Sequence, residues 1–199
     1  MGRREGAGGT DTEVTFEPIL FAGLLDHWGQ LGPAEIAPKR VFTFRDVFRR
    51  AHDRGVPLVP PATHPFNPLM ALRLAQREVA GDQQTAVIDA LYRMAWGEGG
   101  ELGDAAAVRA ALTAAGLDEG LVDRTKDQAV KDALKARTAD AVERGLFGVP
   151  TFLLERDRKR ELFWGHDRFT DVERWIAGED PAAAIAADLD RAPSADRRE

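Results

Sequence analysis

The chain has 199 residues, 44% of them hydrophobic, with a formal net charge of −6 and a pI near 5.3. This suffices for one core, or for one domain carrying an insertion, and its scattered basic residues argue against a nucleic-acid-binding face. Cysteine is absent, and serine, asparagine and tyrosine occur once each, as Ser194, Asn67 and Tyr92. Disulfide exchange, thiolate metal sites and a serine or cysteine nucleophile in the folded body are thereby excluded by counting.

Residues 1–12, MGRREGAGGTDT, are Gly-rich and charged and read as a disordered leader without a secretory h-region. Residues 14–20 alternate apolar with polar and predict a strand, followed by a short helix over 21–28 that stops at Gly29. From Lys39 the period becomes helical through Val41, Phe44, Val47, Phe48 and Ala51, closing at Gly55. The proline-rich stretch 56–68 predicts an extended loop. Helices are expected at about 67–80, 83–97, 104–115, 118–124 and 126–145, with Val87, Ile88, Leu91, Tyr92 and Ala95 as the buried stripe of the second. Two strands at about 150–155 and 160–164 predict a hairpin across a polar turn. A helix over 168–177 and an Ala-rich helix from Pro181 complete the chain, with a mobile tail from Ala192. A strand, a long helical block, then a hairpin and helix fit an α/β domain split by a helical insertion. No apolar run approaches bilayer-spanning length, so no membrane partner is expected and the expected location is cytoplasmic.

The chemistry-bearing motifs each have an ordinary reading. Pro150, after Val149, can simply open an edge strand, or its peptide bond can be cis and turn the Val149 backbone outward to pair with an extended peptide. Asp167 in Trp164-Gly165-His166-Asp167-Arg168 can cap the next helix, or its carboxylate can hold an amine beside helix N–H groups that hold a carboxylate. Lys39-Arg40 can be a solvated pair or a carboxylate anchor, and Asn67 a helix cap. In each case residue types alone favour the ordinary reading. The four histidines, His27, His52, His64 and His166, have no metal-binding spacing, and neither Gly-rich stretch fits a phosphate loop.

Taken together, FEPILFAGLL, PKRVFTFRDVFRRAHDRGVPLVPP, HPFNPLMALRLA, MAWGEG, ERGLFGVPTFLLE and ELFWGHDR resemble the 2-hydroxychromene-2-carboxylate isomerase family. That family is similar to kappa-class glutathione transferases and DsbA-type proteins. The resemblance implies a thioredoxin-like domain at 13–38 and 126–180, and an all-helical inserted domain at 39–125. It also implies a cis Pro150, with the Val149 backbone holding the cysteinyl part of glutathione. Trp164, Gly165, His166 and Asp167 would lie at its γ-glutamyl end. Gln30, in the family's Gly-Asn position, and Lys39 would contact glutathione as well. Phe66, Asn67 and Trp96 would line the pocket of an organic small-molecule substrate. The implied activity is glutathione-dependent cis–trans isomerisation of an aromatic-degradation intermediate. Kappa-type transferase or peroxidase activity is the nearest enzyme alternative, and a homodimer is expected because related proteins are often dimers.

The family's opening strand and turn, roughly FYFDxxSPYSY, has no counterpart in the leader, and Thr10 and Thr12 do not replace its serine. No catalytic residue is therefore assigned. A late start codon, a deletion and a variant that does without the strand are the three explanations, of which truncation is favoured. A non-catalytic thioredoxin-fold module that binds glutathione or a peptide is the expected alternative if the activating hydroxyl is absent.

Overall fold

The computed structural model describes residues 12–185. The leader up to residue 11, the Ala-rich stretch beyond Ile185 and the tail from Ala192 lie outside the described residues. The chain forms two compact units, Thr15–Gly148 and the stretch from Val149 onward.

In the first unit, the strand expected over 14–20 does not form. The alternation is real, but side chains rather than a neighbouring strand satisfy this backbone. Gln84 Nε2 donates to the Phe16 carbonyl at 2.9 Å, and the Leu20 N–H donates to Thr138 Oγ1 at 3.0 Å. Pro18 has no N–H to offer a ladder. Helix α1 (Phe21–Trp28) ends as expected at Gly29, whose φ of 61° is a left-handed conformation that glycine adopts without steric cost. It packs on α8 (Gln128–Glu143) through the fully buried Leu24.

Helix α2 (Ala37–Asp53) starts before Lys39, because Pro38 is compatible with a first turn, where its missing N–H costs nothing. The helix expected over 67–80 is two helices, α3 (Leu69–Leu74) and α4 (Arg77–Ala80). The break lies at Gln76, fully buried and extended at φ −69°, ψ 143°. Its amide donates to the Val130 carbonyl at 3.0 Å and accepts from Arg137 at 2.6 Å, so tertiary partners fix a residue that the apolar period passes over.

Helix α5 (Gln84–Tyr92) runs into one π-turn over Arg93–Gly97. Val87, Leu91 and Ala95 are buried as expected, but Tyr92 is 65% exposed. It follows Leu91 by about 100° around the helix, which takes it off the buried arc. Asp104 caps α6 (Ala105–Ala114), accepting from the Ala106 and Ala107 N–H groups at 2.9 and 3.3 Å. Helix α7 (Leu121–Arg124) is shorter than expected, and with α3, α5, α6 and α8 it closes a core around Leu74, Val87, Val108, Leu112, Val122 and Val130.

In the second unit, β1 (Thr151–Arg156) and β2 (Lys159–Trp164) form the expected antiparallel hairpin, with Leu153 opposite Leu162. Asp157 and Arg158, at φ 50° and 66°, make its two-residue turn, tighter than the five-residue turn read from the sequence. Helix α9 (Phe169–Ala177) packs Phe169 against Phe152 with ring centroids 5.0 Å apart. Arg156 donates to the Ile176 and Trp175 carbonyls at 2.7 and 3.2 Å and covers the Trp175 ring. A cation at that helix end complements the helix dipole and satisfies carbonyls the helix leaves open. From Pro181 the described residues form a short 3₁₀ turn, Pro181–Ala184.

Candidate functional site

The hairpin register sets the first candidate site. Thr151 faces Trp164, so Val149-Pro150 and Gly165-His166-Asp167-Arg168 emerge from the same end of the two strands. The Gly165 N–H donates to the Pro150 carbonyl at 2.9 Å and ties the segments together. The Val149–Pro150 peptide is cis. Val149 and Trp164 are 41% and 54% exposed. All six residues expected here, Val149, Pro150, Trp164, Gly165, His166 and Asp167, are thus brought into one short surface.

Gly165 is required sterically. Its φ is 115°, and a Cβ there would lie 2.6 Å from Asp167 Oδ1. Asp167 does not cap α9, contrary to the ordinary reading of this motif. Arg168 occupies the capping position without a side-chain bond, and Asp167 Oδ2 instead accepts from the Arg168 guanidinium at 2.8 Å. The neighbouring cation has captured the carboxylate that would otherwise turn towards the helix N–H groups. That hydrogen bond, with a backbone hydrogen bond, holds the Asp167 carboxyl below the usual carboxylate range. Arg168 also reaches Asp171 at 3.4 Å. His166 Nε2 is buried without a hydrogen-bond partner, the kind of group that a ligand can satisfy. An anion, a cation and the start of a helix within a few residues can recognise a zwitterion at both of its charges. Arg168 was not among the expected binding residues, although its place in FWGHDR, one residue before α9, is readable in the sequence.

The other expected residues lie in the first unit. Gln30 and Lys39 are both exposed, Gln30 just past the Gly29 turn and Lys39 in the first turn of α2. Phe66 and Trp96 come together with ring centroids 6.1 Å apart. His64, which the sequence did not single out as a site residue, stands 5.5–5.7 Å from Phe44, Phe66 and Trp96. Desolvation by these rings lowers the His64 pKa below its ordinary value. The π-turn carries Trp96 to this cluster, and the Trp96 carbonyl accepts from the Val59 N–H at 2.7 Å. Beside the cluster, Phe66 and Asn67 face an open cleft of about 300 Å³ that also takes in Glu101 and Leu102. Asn67 Oδ1 accepts from the Leu69 N–H at 3.0 Å, the local role of an asparagine at a helix start.

Among protein families, the DSBA-like thioredoxin domain matches residues 3–177. The chain belongs to this family. Its helices and small sheet are those of an α/β thioredoxin-like, DsbA-type domain with a helical insertion. Among solved structures, a selenomethionine 2-hydroxychromene-2-carboxylate isomerase is similar to this DSBA-like chain, with a TM-score of 0.69 and 26% identity over 86% of this chain and 81% of that one. A comparison with curated protein sequences gives no match. No helix among the described residues is long and apolar enough to cross a membrane.

Proposed function

We propose that this DSBA-like chain is a glutathione-dependent cis–trans isomerase of 2-hydroxychromene-2-carboxylate or a related aromatic-degradation intermediate. The observation that carries the reading is the union of Val149-Pro150 with Gly165-His166-Asp167-Arg168 at one hairpin end. The donor set there fits a γ-glutamyl peptide. Asp167 would hold the ammonium, Arg168 and the first N–H groups of α9 the carboxylate, and the Val149 backbone the extended peptide. In the first unit, Phe66, Asn67 and Trp96 would hold the organic substrate. When bound, glutathione would supply a thiolate that adds reversibly to the conjugated substrate, permitting rotation about the former double bond. The chain's own part is to bind and orient both partners, which lowers the entropic barrier to their encounter.

Isothermal calorimetry with glutathione tests the reading. The wild type should bind, and Asp167→Ala should weaken binding by up to about fivefold, the upper end for an exposed charged contact. Equal affinities would overturn the role of Asp167, and no binding by the wild type would overturn the reading. A second reading, a non-catalytic module that binds glutathione or an extended peptide, is favoured by one observation: none of Val149, Pro150, Trp164, Gly165, His166 and Asp167 carries a hydroxyl or thiol. Glutathione binding without turnover of a cis–trans substrate would select it.

A further inference from the structure

Rings from three separate segments of the first unit meet at His64. Its imidazole lies 5.6 Å from the Phe44 ring of α2, 5.7 Å from Phe66 and 5.5 Å from Trp96, centroid to centroid. The first two contacts are edge-on, at 89° and 83°, and together the three rings hold the imidazole in place. Its chain neighbours Thr63, Pro65 and Phe66 line the cleft of about 300 Å³. His64 is nevertheless exposed, and its ring nitrogens make no hydrogen bond or ion pair with the described residues. Desolvation by the rings lowers its pKa, which keeps the imidazole neutral at neutral pH, with one nitrogen donating and the other accepting. Nearby, Asn67 Oδ1 is already committed to the Leu69 N–H, so the amide offers a ligand chiefly its donors. The imidazole nitrogen adds an acceptor at the edge of the aromatic cluster.

We infer that His64 is a specificity-determining residue of the organic-substrate pocket, accepting a hydrogen bond from a hydroxyl carried on the ligand's aromatic ring. This rests on the reading of Phe66, Asn67 and Trp96 as that pocket, and it narrows the substrate class to phenols. The proposed substrate supplies the matching group. A 2-hydroxychromene is a cyclic hemiketal. Opening it breaks the bond between the hemiketal carbon and the ring oxygen, and the hemiketal hydroxyl becomes a ketone as its proton passes to that oxygen. The product is a phenol ortho to the conjugated chain. Stacked against Phe66 and Trp96, such a ring would turn its hydroxyl to His64 while the carboxylate at the far end of the chain stays clear of the imidazole.

The test uses trans-2-hydroxycinnamate and trans-2-fluorocinnamate, titrated separately into the full chain by calorimetry. Both carry the same chain and charge, and fluorine occupies similar space to the hydroxyl but donates no hydrogen bond. The hydroxy compound should bind about twofold to tenfold more tightly, the range for one hydrogen bond. His64→Phe keeps a ring in the cluster and should erase that preference, whereas His64→Gln, whose amide oxygen can accept in its place, should keep part of it. Equal affinities in the wild type would overturn the inference and leave the pocket standing. A preference that survives intact in His64→Phe would also overturn it, and its loss in Glu101→Gln would then assign the hydroxyl to the Glu101 carboxylate in the cleft. Failure of both compounds to bind would overturn the pocket reading and the inference together. These titrations contain no glutathione, so the glutathione reading stands or falls on its own titration.

Discussion

Removing the Arg137 guanidinium should cost the first unit about 2–4 kcal/mol. Arg137 donates to Gln76 Oε1 at 2.6 Å, to Glu17 Oε2 at 2.7 Å and to Glu78 Oε1. The first of these contacts dominates. Gln76 is fully buried, and its carbonyl oxygen would be left without this donor, at about 1–3 kcal/mol. The two carboxylates are 62% and 50% exposed, so each ion pair adds only about 0.2–1 kcal/mol. Urea unfolding of Arg137→Ala should therefore show a midpoint lowered by about 1–2 M, for an m-value in the usual range. Arg137→Lys should fall between, since one ammonium cannot reproduce the planar fork. The double variant Gln76→Leu/Arg137→Leu should lose less than the sum of the singles, because no buried acceptor is stranded. The Arg137 hydrogen bond also holds the Glu78 carboxyl below its ordinary range. A depressed carboxyl contributes stability above the unfolded pKa, near about 4.3, and loses it as pH falls through the folded value. The stability of Arg137→Ala should accordingly fall less steeply with acid below about pH 4. A loss under about 0.5 kcal/mol at neutral pH would refute the reasoning, since it would mean that Gln76 does not depend on this donor.

Asp104→Ala should destabilise the chain by about 1 kcal/mol through the loss of the α6 cap, and Asp104→Asn by less; a thermal scan that leaves both at wild-type stability would contradict the cap. His64 should titrate below its ordinary value, near about 6.5, in an NMR pH series, because the rings around it disfavour the imidazolium. Its contribution to stability is then complete above the unfolded pKa and is lost as pH falls through the lower folded pKa, so His64→Gln should flatten that limb; a His64 value at or above the ordinary one would refute the assignment.

Where one side of a helix alone decides its burial, the sequence was enough to read it. Helix α5 kept Val87 and Leu91 inside, and α1 stopped at Gly29, because period and glycine conformation are local properties. Local pattern failed where distant polar groups intervene. Residues 14–20 look like a strand until Gln84, Arg137 and Thr138 claim polar groups of Phe16, Glu17 and Leu20, and 67–80 looks like one helix until Gln76 is pulled aside by Val130 and Arg137. These partners lie tens of residues away, so no window along the chain could reveal them.

The candidate site divides along the same line. The Val149-Pro150 and FWGHDR segments were legible because they flank one hairpin, although the register, set by a two-residue rather than a five-residue turn, was not. The role of Asp167 within that surface was not, since capping and pairing with Arg168 use the same carboxylate and only the three-dimensional geometry chooses. The choice has a consequence for recognition. A ligand ammonium must compete with Arg168 for Asp167, while a ligand carboxylate must compete with Asp167 for Arg168. A ligand carrying both charges can replace the pair with two new ones, whereas a ligand carrying one charge strands the other partner. The Asp167–Arg168 pair should therefore favour zwitterions over simple amines or acids, which suits the end of a γ-glutamyl peptide better than it suits a lone anion at a helix N-terminus.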